Sequence, residues 1–159
     1  RAMAIQAKLT IKGDSKKYNI LECVYNFRQS IDDTGKPTSR PEGGIITFVT
    51  PSTSDDDLFF YNWMFNKAET QSGVFLFTVY SDENKAIYKT LEFEDAYCIE
   101  VKDYFNNTDS KLMYSTITIS ARVLRFGASP EPRKVVERGS NSSSNSASYD
   151  GAKFTNEWT

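Results

Sequence analysis

The chain has 159 residues, enough for one compact domain around one hydrophobic core, and a hydrophobic content of 39% sets it apart from disordered chains. A formal charge of −2 argues against a nucleic-acid partner, because phosphates demand a basic surface, and no stretch approaches the ~18 continuous apolar residues of a membrane helix. Histidine is absent, which removes the commonest general base and the usual ligands of catalytic zinc.

Arg1-Ala2-Met3 leads straight into alternating sequence, so Met3 is read as the natural start and no export signal is expected. Ile5, Ala7, Leu9 and Ile11 alternate with Gln6, Lys8, Thr10 and Lys12, the pattern of a half-buried strand. Gly13-Asp14 turns the chain. Lys17–Gln29 is predicted to return as a second strand, with Leu21, Cys23, Tyr25 and Phe27 on one face, pairing with the first as a hairpin.

From Ser30 to Gly44 the character changes: two prolines, three glycines and mixed charges preclude a regular central strand. The stretch is longer than an ordinary hairpin connection, and its paired prolines and lone Ile31 point to a loop that docks on something. Strand character resumes over Gly44–Thr50 and stops at Pro51. Ser54 and Asp55-Asp56-Asp57 then read as the capped, acidic first turn of a helix over Leu58–Phe65, since oxygens there complement unpaired N–H groups. A calcium site is the alternative for the three aspartates, but no glycine-turned loop or closing glutamate completes it. The helix is apolar nearly all round, so it either plugs an opening or also meets a neighbour.

Gly73–Ser81 is apolar on both faces, which requires cover on both sides. Ala86–Glu94 places Ile87, Leu91 and Phe93 together, and Tyr97, Ile99 and Val101 mark the next strand. The run Leu112–Phe126 turns Ile117, Ile119, Ala121 and Val123 inward. The expected fold is mainly β, about seven strands and one flanking helix, closed as a small barrel or a tight sandwich. Beyond Phe126 the pattern ends, and residues 127–159 are read as an extension on a 1–126 domain. Its Gly139–Ser148 tract of Ser and Asn is expected to be flexible, and Tyr149, Phe154 and Trp158 to dock.

Chemistry is sparse. Cys23 and Cys98 form no CxxC and are read as free thiols buried in strands. Glu94 and Asp95 are adjacent on a strand and project oppositely, so they form no acid–base pair. Gly43-Gly44 opens a strand rather than a helix and makes no phosphate loop. No catalytic, cofactor or metal set is expected. Two readings remain: a self-assembling structural subunit, or a monomeric binding module that recognises sugar or peptide through exposed aromatics. An enzyme is the third and weakest.

Several stretches do carry a resemblance. Ala7-Lys8-Leu9-Thr10-Ile11, Tyr18–Cys23, the loop Ile31–Pro41, Gly43-Gly44-Ile45, Leu91–Cys98, Thr116–Ala121 and the ending Asn156-Glu157-Trp158 are similar to the Hcp-type (TssD) tube proteins of type VI secretion, especially their Bacteroidetes branch. The resemblance runs over residues 4–126 and returns at the last few. It implies a β-barrel with one helix, assembled in the cytoplasm as hexameric rings that stack into a tube inside a contractile sheath. The tube is expelled with spike and effector proteins, and has no enzymatic activity, cofactor, nucleic-acid partner or membrane insertion of its own. It also implies that the loop stacks the rings, which maps here onto Ile31, Asp32, Asp33, Thr34, Gly35, Lys36, Pro37, Ser39, Arg40 and Pro41. The apolar helix and the aromatic end nominate Phe59, Phe60, Trp63, Phe154 and Trp158 as subunit-interface candidates.

Overall fold

The structure is a computed structural model, and it describes residues 5–52, 58–80, 83, 85–106, 108, 113–129 and 151–156. Strands β1 (Ile5–Ile11), β2 (Lys17–Asn19), β3 (Glu22–Tyr25) and β4 (Ile45–Pro51) precede one helix, α1 (Phe59–Phe65). Strands β5 (Gln71–Tyr80), β6 (Ala86–Phe105), β7 (Met113–Ser120), β8 (Val123–Ser129) and β9 (Lys153–Thr155) follow. All pairings are antiparallel, in the order β2-β1-β5-β6-β7-β4-β3, with β8 on β6 and β9 on β8. Among the described residues the fold is therefore mainly β, one large antiparallel sheet with one short helix. Residues 54–57, expected to cap the helix, and the Ser/Asn tract lie outside the described residues. The helix itself starts at Phe59 with Leu58 at its N-cap, no side-chain cap hydrogen bond and no acidic residue in its first turn, so the expected acidic first turn is not what begins it. Among the described residues no helix is long and apolar enough to cross a membrane.

Four of the expected strands come out differently, each for a geometric reason. The two strands expected at Ala86–Glu94 and Tyr97–Val101 are one strand of 20 residues that bends at Asp95, whose φ is 52°. Before the bend Leu91 and Phe93 are buried; after it Ala96 and Cys98 are, because the extra residue shifts the alternation by one. Tyr97 and Ile99 consequently point out and are exposed, and Ile87, near the strand's start, is also left open. The first half of β6 pairs with β5 and β8 and the second half with β7, so the bend moves the strand between partners.

The predicted single strand Lys17–Gln29 instead breaks at Ile20-Leu21. The Ile20 amide donates to the Ala7 carbonyl at 3.0 Å, and the Leu21 amide to the Val49 carbonyl at 2.8 Å, so the chain leaves β1 and joins β4 within two residues. Tyr18 and Ile20 take the buried positions, Leu21 is exposed and Cys23 is half-buried. Likewise the run to Phe126 divides at Ala121-Arg122 into β7 and β8. Its inward set is as expected, with Ile117, Ile119, Ala121 and Val123 buried and Leu124 added. β8 continues to Ser129, three residues past the expected domain limit at 126.

The core gathers Leu9 and Ile11 of β1, Ile46 and Phe48 of β4, Phe75 of β5, Leu91 and Phe93 of β6, Ile117 and Ile119 of β7 and Leu124 of β8. Each such side chain contributes about 1.5–3 kcal/mol on burial. Trp63 of α1 lies on Phe93, ring centroids 6.4 Å apart, and is only 1% exposed.

Candidate functional site

The connection from β3 to β4 is an ordered arm. Its two limbs meet at Arg28 and Glu42, whose backbones exchange hydrogen bonds of 3.1 and 2.7 Å, and again where Ile31 faces Pro37. Between them the Thr38 amide donates to the Ser30 carbonyl at 2.8 Å, and the Ser30 amide to the Ser39 hydroxyl at 2.8 Å. The tip is a turn over Asp32–Lys36 in which Gly35 takes φ 89°, a conformation that glycine adopts without strain.

Asp32 organises that turn. Its Oδ1 accepts from the Thr34 hydroxyl at 2.7 Å, the Thr34 amide at 2.9 Å and the Lys36 amide at 3.0 Å. These bonds, the one from the Thr34 hydroxyl first, hold its carboxyl below the usual value of 3.8. The arm thus satisfies much of its own backbone while every residue from Phe27 to Thr38 stays exposed, Ile31 at 65%. An ordered segment with an exposed apolar side chain loses little entropy on docking.

Of the loop residues singled out from sequence, the fold sets Ile31 and Pro37 opposite each other, gathers Asp32 to Lys36 in the tip, and places Ser39, Arg40 and Pro41 on the returning limb.

The root of the arm is packed rather than free. The Phe27 ring meets Phe154 of β9, centroids 4.9 Å apart, and Phe126 of β8 at 5.5 Å. Asn156, just past β9, donates from Nδ2 to the Ala121 carbonyl at 2.7 Å and to the Gly43 carbonyl at 3.3 Å. Phe154 therefore packs within its own chain, and Trp158 lies outside the described residues.

The helix divides its aromatics by face. Phe59 and Phe60 are half-buried against Tyr18, at 6.2 and 4.9 Å, and Trp63 is enclosed, so these three are used by the chain's own core. What α1 presents outward is Leu58 at its start and Phe65, 75% exposed, at its end. Tyr104 and Phe105 at the end of β6 are exposed as well. Helical spacing was the signal for Phe65: two residues beyond Trp63 lies the opposite face.

Little else offers chemistry. Burial pushes the Cys23 thiol up to about 12 and the Cys98 thiol to about 11, and both are free. Glu94 pairs with Arg125 across β6 and β8. Among the described residues no three His, Cys, Asp or Glu side chains gather as metal ligands. A hollow of about 330 Å³ lies between Cys23, Tyr25, Phe77, Val79, Lys89 and Phe126.

Comparison with known proteins agrees over nearly the whole chain. The model of the family described as TssD, hemolysin coregulated protein Hcp, matches residues 3–130. Hcp1 from Flavobacterium johnsoniae is 26% identical and superposes with a TM-score of 0.68 over 95% of this chain and 99% of its own. A doubly substituted form of the Hcp1 protein from the E. coli EAEC 042 pathovar is 11% identical, with a TM-score of 0.64 over 97% of this chain and 99% of its own. No curated protein matched.

Proposed function

Because this chain belongs to the hemolysin coregulated protein Hcp (TssD) family of type VI secretion tube subunits, a non-enzymatic family that assembles hexameric tubes, we propose that its copies stack ring on ring through the arm Ser30–Gly43. The observation that carries this is the arm itself: internally hydrogen-bonded, exposed from Phe27 to Thr38, and tipped by Ile31 against Pro37. Ring stacking is heterologous contact, in which a projection on one copy needs a different surface on the next.

The subunit is proposed to be a closed barrel. Support comes from the Ile20 and Leu21 amides, which bond to β1 and β4 respectively and so bring the two ends of the strand order together. The barrel domain, expected over residues 1–126, runs in this reading to the end of β8 at Ser129, with the remainder an extension whose aromatic end docks. Lateral contacts within a ring fall to Leu58, Phe65, Tyr104 and Phe105, with Phe59, Phe60 and Trp63 supporting them from beneath and Phe154 and Trp158 at the chain's end. The family is secreted by the type VI route; for this chain we propose assembly in the cytoplasm and export through that machine, with sheath, spike and effector proteins as partners.

Sedimentation and negative-stain microscopy of the purified protein test the reading, with Ile31→Asp as the variant. Rings in both proteins, and stacks in the wild type alone, are expected. A lone 18.1 kDa species at high concentration, or stacks that survive the substitution, would overturn it.

A further inference from the structure

The two roots of the arm are held by the same short segment of chain. At the departing root, Phe27 packs on Phe154; at the returning root, the Gly43 carbonyl accepts from Asn156. The segment is itself anchored to the sheet. The Asn156 amide donates to the Arg122 carbonyl at 2.7 Å, its side chain to the Ala121 carbonyl, and β9 pairs with β8 at Leu124↔Phe154. Gly44, with φ 95°, is where the backbone must come close: a Cβ there would run into the Asn156 amide group and the Ala121 carbonyl. Gly43 is similarly tight against the Phe27 ring, so the two roots also touch each other.

We propose that Phe154 and Asn156 are positioning residues for stacking: the C-terminal strand clamps the base of the arm and sets its direction relative to the sheet. This rests on the arm being the stacking element. The arm's own hydrogen bonds fix its internal shape, but backbone bonds that run from one limb to the other do not by themselves fix how the arm projects from the sheet. Phe126 of β8 also meets Phe27, and the Ala121 amide donates to the Gly44 carbonyl at 2.8 Å, but β9 and its end reach both limbs at once, with an aromatic ring on one and a carboxamide on the other. A carboxamide suits the task, since its two N–H donors reach two carbonyls on different elements at once. Order at the far end of the chain is thereby coupled to order in the arm, distant in sequence but adjacent in space.

Amide hydrogen exchange of full-length rings tests this, comparing wild type with Asn156→Ala and with the isosteric Asn156→Asp, which loses both donors. Exchange at Arg28, Thr38 and Glu42 should quicken roughly five- to tenfold, the loss of one or two hydrogen bonds, while Ile46 and Ile119 in the core stay unchanged. Rings should persist and stacking should weaken. Lys153→Ala, on the exposed side of β9, should leave the arm as it is. Unchanged arm exchange in both Asn156 variants would overturn the clamp, and so would equal acceleration in arm and core. If wild-type rings never stack, the stacking reading fails while the exchange data still judge the clamp.

Discussion

The indole Nε1 of Trp63 donates to the Ala96 carbonyl at 3.0 Å, joining the helix to the strand immediately past its bend. That bond, with the packing of Trp63 on Phe93 and of Phe59 and Phe60 on Tyr18, holds a helix of 7 residues in place in a β protein. Ala96 follows the residue at which β6 bends between its partners and is fully buried, out of reach of water, so each donor to its carbonyl counts. The helix supplies the donor, and the ring fills the space above Phe93.

Trp63→Phe keeps most of the bulk but removes the donor to the Ala96 carbonyl, so we expect a loss of about 1 kcal/mol. Trp63→Ala also opens a cavity and should cost about 3–5 kcal/mol. Urea denaturation followed by circular dichroism measures both. Equal losses for the two variants would show that the hydrogen bond carries the effect and the packing does not.

The bend at Asp95 is left-handed, a region that glycine enters freely, aspartate tolerates and β-branched residues resist. Asp95→Gly is expected to stay within about 1 kcal/mol of wild type, whereas Asp95→Val should lose about 1–2 kcal/mol. The denaturation midpoints distinguish them. A valine variant as stable as the glycine variant would remove the bend as a point of conformational constraint.

The thiols make a sharper test of burial. With Cys98 raised to about 11 and Cys23 to about 12, almost no thiolate exists in the folded protein at pH 8. Iodoacetamide should therefore leave both unmodified in the native state and alkylate both in urea, as read by mass spectrometry. Rapid native labelling of either would contradict the positions assigned to them.

Asp32 gives the pH dependence of the arm. Its folded-state carboxyl titrates below 3.8, so the order it confers is complete above that value and is lost as pH falls through the lowered one. NMR titration should place its midpoint below 3.8 in the wild type and return it toward 3.8 in Thr34→Ala, because the Thr34 hydroxyl is the largest cause of the shift. A midpoint indifferent to Thr34→Ala would mean the turn is held by something else.

Much of this protein was legible in its residues. Alternation through Leu9 and Ile11, and again from Ile117 to Val123, specified which side chains are buried, because a strand's period of two leaves no other choice once one face meets a core. The prolines and glycines of Ser30–Gly44 announced an irregular segment that docks, and Ser54 with the aspartates before Leu58 announced a helix, which forms at Phe59–Phe65. The resemblance of several stretches to a known family named the function. What the residues alone did not determine is where a strand changes partners. The residues read as two strands, Ala86–Glu94 and a next one marked by Tyr97, Ile99 and Val101; only the long-range pairing with β5, β8 and β7 makes them one strand bent at Asp95, with Tyr97 and Ile99 exposed. The same holds for Ile20-Leu21, where two neighbouring amides serve different strands. Nor could local pattern join Phe27 to Phe154 or Gly43 to Asn156, since most of the chain separates each pair and contact between them exists only once the sheet has formed. Periodicity is a local property of the chain; the meeting of distant segments follows from the packing of the whole.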